Sequence, residues 1–268
     1  MLFPVLLYFI VFCYIPMFGN IMAFEDYSVG KGFLHSEWVG FRWFREFFSS
    51  VYFGRLIKNT LLISIYSLII GFPIPIIFAL LLNEIKDGPF KRVTQTISYL
   101  PHFISVVVVV GLLFNFLSPI DGVVNVLLKS MGKDAINFMS EPGWFRTLYI
   151  GSNIWQNFGW DSIIYLAALS SVDPQLYEAA QIDGAGKFKQ MLHVTLPAIM
   201  PTIIILLIMN VGNIMNVGFE KIILMYSPAT YETADVISTY VYRRGILGSQ
   251  FSFSASVGLF NSVINFAL

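Results

Sequence analysis

Long apolar runs alternate with short polar ones along this chain. Six runs meet or approach the roughly 20 mostly apolar residues that a helix needs to cross a bilayer: 2–24, 56–82, 97–117, 147–169, 198–217 and 253–268. The pattern predicts an all-α polytopic membrane protein. The first run has no basic leader and no small-residue cleavage site, so it reads as a span and not as a signal peptide. The second contains Gly71-Phe72-Pro73-Ile74-Pro75, which predicts a broken hydrogen-bond ladder and a static kink in preference to a hinge. The third holds five consecutive valines, Val106 to Val110, with Pro101 near its start. The sixth ends in mid-run at Leu268 without a basic anchor, and the first lacks a polar leader. The expectation is a polypeptide that continues beyond Leu268. No repeat, low-complexity tract or heptad pattern divides the chain, so 1–268 is expected to be a single transmembrane domain.

Composition agrees with lipid as the solvent. The chain is 56% hydrophobic and 12% charged, with 26 Phe and 13 Tyr, against roughly 25% charged residues in a soluble domain. Too little polar surface remains to cover a water-soluble globule. Net charge is zero, which removes the electrostatic case for a nucleic-acid partner. Cys13 is alone, and His35, His102 and His193 are far apart, so neither a disulfide framework nor a metal site is expected. Alternation of the spans puts the connections 83–96 and 170–197 on one side and 25–55, 118–146 and 218–252 on the other. Lys and Arg number five in the first pair's 42 residues and ten in the other three's 95. The positive-inside rule therefore gives no orientation.

The stretch EAAQIDGAGKFKQMLHVTLP, residues 178–197, is unlike its surroundings. Asp173 is a good N-cap and Pro174 a good first helical residue. Gly184 is placed to end that helix in the left-handed region, which glycine tolerates best. A second short helix should follow, with Phe188, Met191 and Leu192 on one side and Lys187, Lys189 and Gln190 on the other. Pro197 should then open the next span. A helix, a glycine elbow and a second helix outside the bilayer suit docking to a protein; an interfacial helix resting on headgroups fits as well. Gly184-Ala185-Gly186-Lys187 looks like part of a phosphate-binding loop, but Gln181 and Phe188 stand where Gly and Ser or Thr are required. ATP binding by that route is excluded.

Glu178-Ala179-Ala180, Asp183-Gly184-Ala185 and Leu196-Pro197 resemble the EAA loop of ABC-importer permeases: EAA, three residues, G, nine residues, I-x-L-P. Val194 stands where that family has Ile. The resemblance implies a six-span type I importer transmembrane domain whose loop, 173–197, is cytoplasmic and couples to an ATP-binding subunit. It implies a multi-pass protein of the bacterial cytoplasmic membrane with no catalytic or metal site. No cofactor is expected on this chain, since ATP and Mg would sit on the partner ATPase subunits. The implied partners are a second homologous permease, two ATP-binding subunits, an extracellular or periplasmic solute-binding protein and membrane lipid. YSPATYETADVISTYVYRRG (226–245) and FSFSASVGLFNSVINF after it resemble the carbohydrate-uptake branch, specifically permeases for oligosaccharides or polysaccharide fragments that form the larger of two membrane subunits.

Polar groups within spans are costly and tend to face a cavity or another helix. Trp155, Gln156, Asn157 and Trp160 in the fourth span, Asn210, Asn213 and Asn216 in the fifth and Asn261 in the sixth form the expected substrate pathway. Amides hydrogen-bond sugar hydroxyls, and aromatic rings cover C–H faces. The spacing of Asn210, Asn213 and Asn216 predicts one stripe on a helix. Packing between helices uses the same residue types. The 218–252 loop, with Tyr226, Tyr231, Tyr240 and Tyr242, is expected to face the binding protein or to cap the bundle. A non-sugar solute is the alternative cargo. An ion-coupled secondary transporter would show inverted repeats and buried carboxylates; no repeat is seen, and Asp161 is the one acidic residue in the spans.

Overall fold

The computed structural model describes residues 2–268. Its helices fall into two compact units. Unit 1 comprises Met1–Leu61, Met215–Phe219 and Asp235–Leu268; unit 2 comprises Leu62–Ile214 and Glu220–Ala234.

In unit 1, α1 (Leu2–Phe24) is apolar on every side, and none of its residues before Phe18 is buried. Its last turns, Phe18–Phe24, tighten to a 3-10 helix and pack on α13 (Phe251–Ala267). A two-residue antiparallel pair, Glu25–Asp26 with Glu37–Trp38, is the sheet among the described residues. The amphipathic α2 (Arg42–Ser49) then drives Phe47 into the core. There its ring meets Phe53, Phe253 and Phe260 at centroid distances of 5.1, 6.2 and 5.6 Å.

α3 (Phe53–Glu84) starts in unit 1 and continues in unit 2. Unit 2 also contains α4 (Pro89–Phe103), α5 (Val106–Phe116), α6 (Val123–Ser130), α7 (Pro142–Ser170), α8 (Pro174–Ile182) and α9 (Lys187–Val211). α7 is the centre. It packs on the second half of α3, on α4, on α9 and on the short α11 (Tyr231–Ala234) that follows α10 (Phe219–Met225). Ala79, Leu80, Tyr165, Leu169 and Ile199 form a core cluster, with Leu196 and Met191 packed against it. Gly159 lets α7 approach α4 closely, since a Cβ there would strike the backbone of Ser98.

Among the described residues, three helices are each long and apolar enough to cross a membrane: α1, α3 and α9. The expected third span, 97–117, takes another form. α4 and α5 meet at a 98° bend and reach the same criterion only as a pair. Pro101 lies in a 3-10 turn, Leu100–Phe103, and Ser105 caps the restart by accepting from Val108 N at 3.4 Å. A missing N–H followed by a strong N-cap breaks the helix there. The expected fifth span, 198–217, is displaced as well. α9 begins at Lys187, runs through Pro197 without a break and ends at Val211.

Pro197 is tolerated because a π turn, Met191–Thr195, precedes it. The same arrangement recurs twice: Ile10–Tyr14 before Pro16, and Ser67–Gly71 before Pro73. In each case the proline ring faces the carbonyl four residues back, which belongs to the third residue of the π turn. The wider i→i+5 ladder makes room for the ring and spares the absent donor.

Candidate coupling loop and solute pathway

The loop signature folds as an elbow. Asp173 caps α8 by accepting from Gln175 N at 2.9 Å. Gly184 ends it at φ +76°. Ala185 N donates to Ala180 O at 2.9 Å and Gly184 N to Gln181 O at 3.0 Å, the paired bonds of a Schellman ending. Gln190, buried, donates from Nε2 to Ala185 O at 2.7 Å and locks the far arm. The Tyr177 hydroxyl lies 3.1 Å from that of Thr195, fastening α8 to the π turn of α9. Lys187 pairs with Glu84 at 3.5 Å. Gln190, expected on the polar side with the two lysines, is buried instead, and its role, like those of Tyr177 and Thr195, comes from distance and not from spacing.

Glu178, Ala179, Asp183 and Gly184 are exposed, while Ala180 and Ala185 are half-buried. Leu196 packs against the core of unit 2, and Pro197 is exposed on α9. Beside the elbow three apolar side chains stand in the open: Leu176 at 51%, Ile182 at 88% and Phe188 at 68% exposure.

The pathway residues separate into those brought together and those not. Asn157 and Trp160 meet on one face of α7. His102 Nδ1 is 3.0 Å from Asn157 Oδ1, and the His102 ring stacks on Trp160 at 4.5 Å with planes 1° apart. Phe103 closes edge-on to Trp160 at 5.4 Å, and Asn157 Nδ2 reaches Asn153 Oδ1 at 3.1 Å. Proline and serine place His102 and Phe103 here, at the last turn before the bend. Neither was foreseen, since a broken helix is needed to bring them in.

Gln156 is not on that face. It is buried and donates from Nε2 to Ile104 O at 2.8 Å, satisfying a carbonyl that the bend leaves orphaned. Trp155, two residues from Asn157, points from the opposite side of the helix and is exposed.

The asparagine stripe expected on a single helix does not form. α9 stops at Val211, so Asn213 sits in the turn after it and Asn216 lies beyond that turn. Asn210 Nδ2 donates to Leu206 O at 2.8 Å and Asn213 Nδ2 to Met209 O at 3.0 Å. Side-chain amides that bond backbone carbonyls compete with the helix, and Gly212 adds backbone freedom. In unit 1, Asn261 Nδ2 donates to Asn216 Oδ1 at 3.0 Å, and Met215 N donates to Asn265 Oδ1 at 3.1 Å.

Asp235, also in unit 1, is fully buried and was missed. Arg243 donates to both carboxylate oxygens at 2.8 and 2.7 Å, Arg55 Nη2 lies at 3.3 Å and Thr239 donates at 2.9 Å. Its backbone carbonyl accepts from Asn59 at 3.0 Å. The available signal was the acid–arginine spacing within 226–245, eight residues apart.

The pattern of the family described as binding-protein-dependent transport system inner membrane component matches residues 71–268. The chain belongs to that family. Protein LplB of Bacillus subtilis is 47% identical over 268 residues, covering all of this chain and 84% of the relative. The polygalacturonan/rhamnogalacturonan transport system permease YteP of the same organism is 46% identical with the same coverage. A crystal structure of a bacterial ABC transporter involved in import of the acidic polysaccharide alginate superposes with a TM-score of 0.93 at 49% identity, covering 100% of this chain and 90% of the other. That transporter has also been solved with an alginate pentasaccharide-bound periplasmic protein. Members of this permease family are integral membrane transport components and not catalytic subunits, and the fold is that of a type I importer.

Proposed function

We propose that this chain is the permease subunit of an ATP-driven importer that carries an oligosaccharide or polysaccharide fragment across the bacterial cytoplasmic membrane by alternating access. What supports the reading above all is full-length likeness, at nearly half identity, to a polysaccharide importer. The chain lies in the membrane as one permease domain of six crossings, the bent α4–α5 pair and α7 among them. The elbow of α8 and α9 faces the cytoplasm. Leu176, Ile182 and Phe188 are the apolar side chains that a partner ATPase subunit covers, with Glu178, Ala179, Ala180, Asp183, Gly184 and Ala185 forming the docking turn. ATP and Mg belong to two such subunits. A second, homologous permease completes the membrane part, and a solute-binding protein delivers cargo to the 218–252 side.

On unit 2, Trp160 with His102 and Phe103 offers an aromatic platform beside the amides of Asn153 and Asn157. Asn210 and Asn213 add further amides on unit 2; on unit 1, the Asn216–Asn261 pair is a separate polar feature. The mixture of flat rings and amides is what sugar hydroxyls and C–H faces require.

The test is ATPase activity of the complete reconstituted complex with loaded binding protein, comparing wild type with Gly184→Val. A β-branched residue at φ +76° distorts the elbow, while the open space around Gly184 lets the complex assemble. Wild type should be stimulated by saccharide-loaded binding protein, and the variant should assemble without stimulation. Normal stimulation of the variant removes the elbow from the mechanism.

A further inference from the structure

Lys221 on α10 is 5% exposed, and its Nζ has no hydrogen bond or ion pair among the described residues. The ring of Tyr149 lies nearby, with Nζ 6.0 Å from its centroid, the outer limit of a cation–π contact. An ammonium taken from water without a counter-charge is costly, and burial pushes Lys221 down to about 8. A fold that needed only volume here would use Met or Leu at lower free energy.

The position explains what the charge can serve. Tyr149 lies on α7 at the start of the stripe that continues through Asn153, Asn157 and Trp160, at steps of four, four and three. Eight residues separate Tyr149 from Asn157, about 12 Å along the axis. Arg146 lies one turn before Tyr149. Between Pro142 and Trp160 α7 carries no acidic residue. The stripe therefore has the buried Lys221 ammonium at its Tyr149 end and a neutral amide and aromatic middle.

We propose that Lys221 is the counter-charge for a carboxylate of an anionic oligosaccharide, a uronate, arriving at the Tyr149 end of the α7 stripe. This rests on the permease reading above and adds the charge of its cargo and the residue that reads it. An ammonium–carboxylate hydrogen bond formed in a desolvated setting is roughly twice as strong as a neutral one. It forms only with a cargo that carries the charge, so it discriminates between sugars of the same size.

The experiment uses the complete complex and binding protein loaded with oligogalacturonate or with the same oligosaccharide after carboxyl reduction. The readout is ATPase stimulation at matched binding-protein loading. In wild type the acidic sugar should stimulate more strongly. Lys221→Met should lower the ratio of acidic to reduced stimulation by about tenfold, the scale of one charged hydrogen bond, and Lys221→Arg should restore most of it. The Met variant should also melt higher than wild type, because the uncompensated charge is gone. A Met variant that keeps the wild-type ratio overturns the proposal, as does one that melts lower and loses both activities alike, which marks a structural lysine. Wild type stimulated by the neutral sugar alone overturns this inference while leaving the permease reading intact. Wild type stimulated by no saccharide overturns both.

Discussion

Asp235 is a buried carboxylate in unit 1 held by several donors. Its carboxylate has no exposure, and both oxygens are taken by Arg243 with Arg55 beside them. Removing one side of such a pair leaves uncompensated charge in a low dielectric, which costs more than the pair itself contributes. Asp235→Asn should lower stability by about 2–3 kcal/mol, below the usual 3–5 because the arginines are partly solvated. The readout is the thermal melt of the detergent-solubilised protein. Asp235→Asn combined with Arg243→Met should recover part of the loss, since the stranded charge goes with its partner. A double variant no better than the single one sinks the account. Arg244 is separate: it pairs with Glu46 at 2.9 Å and lies 4.2 Å over Phe253. Adjacent arginines thus hold different elements, a division of labour that no spacing in YRRG displays.

The broken helix between α4 and α5 is an element held by one side chain. Gln156 supplies the donor that Ile104 O loses at the bend. Gln156→Leu keeps the volume and strands a buried carbonyl, so it should cost about 1–3 kcal/mol and loosen the bend; Gln156→Glu, which cannot donate when ionised, should cost at least as much. Hydrogen exchange at Val106–Val110 should rise in both variants, and unchanged protection there counts against the role of Gln156. The rough positions of the apolar helices were legible because apolar length reports a span. The bend of the 173–197 elbow was legible, because Asp173, Gly184 and the local bonds they make lie within one stretch of chain. The bend at Ile104 and the π turns before Pro16, Pro73 and Pro197 were not. Proline announces a disturbance, but whether the helix breaks or widens depends on whether a strong cap follows, as Ser105 does, or a continuing apolar ladder. A second check follows: Pro197→Ala should let the Met191–Thr195 turn relax to regular α, rotating Lys187–Gln190 relative to the core. Spin-label distances between positions 188 and 203 should then shift by the rotation of one residue.

At the scale of the whole molecule, 16 acidic and 16 basic residues cancel, and surface pairs such as Arg42–Asp26 and Lys91–Asp87 contribute little. Dependence of stability on pH therefore falls to the few groups whose proton affinity changes on folding. Lys221 is such a group, and the sign is fixed. Its folded value, about 8, is below the roughly 10.4 of an unfolded lysine. Between those values the unfolded chain binds more protons, so stability rises with pH across that window. Below pH 8 the buried ammonium exerts its full cost; near pH 10 the buried amine is neutral and the cost is gone. Lys221→Met carries no such proton. Its melting temperature should exceed that of wild type at pH 7, and the gap should narrow steadily from pH 8 toward 10. A gap that is constant from pH 7 to 10, or that has the opposite sign at pH 7, means the ammonium is compensated in the folded protein. The charge would then not be held ready for a ligand.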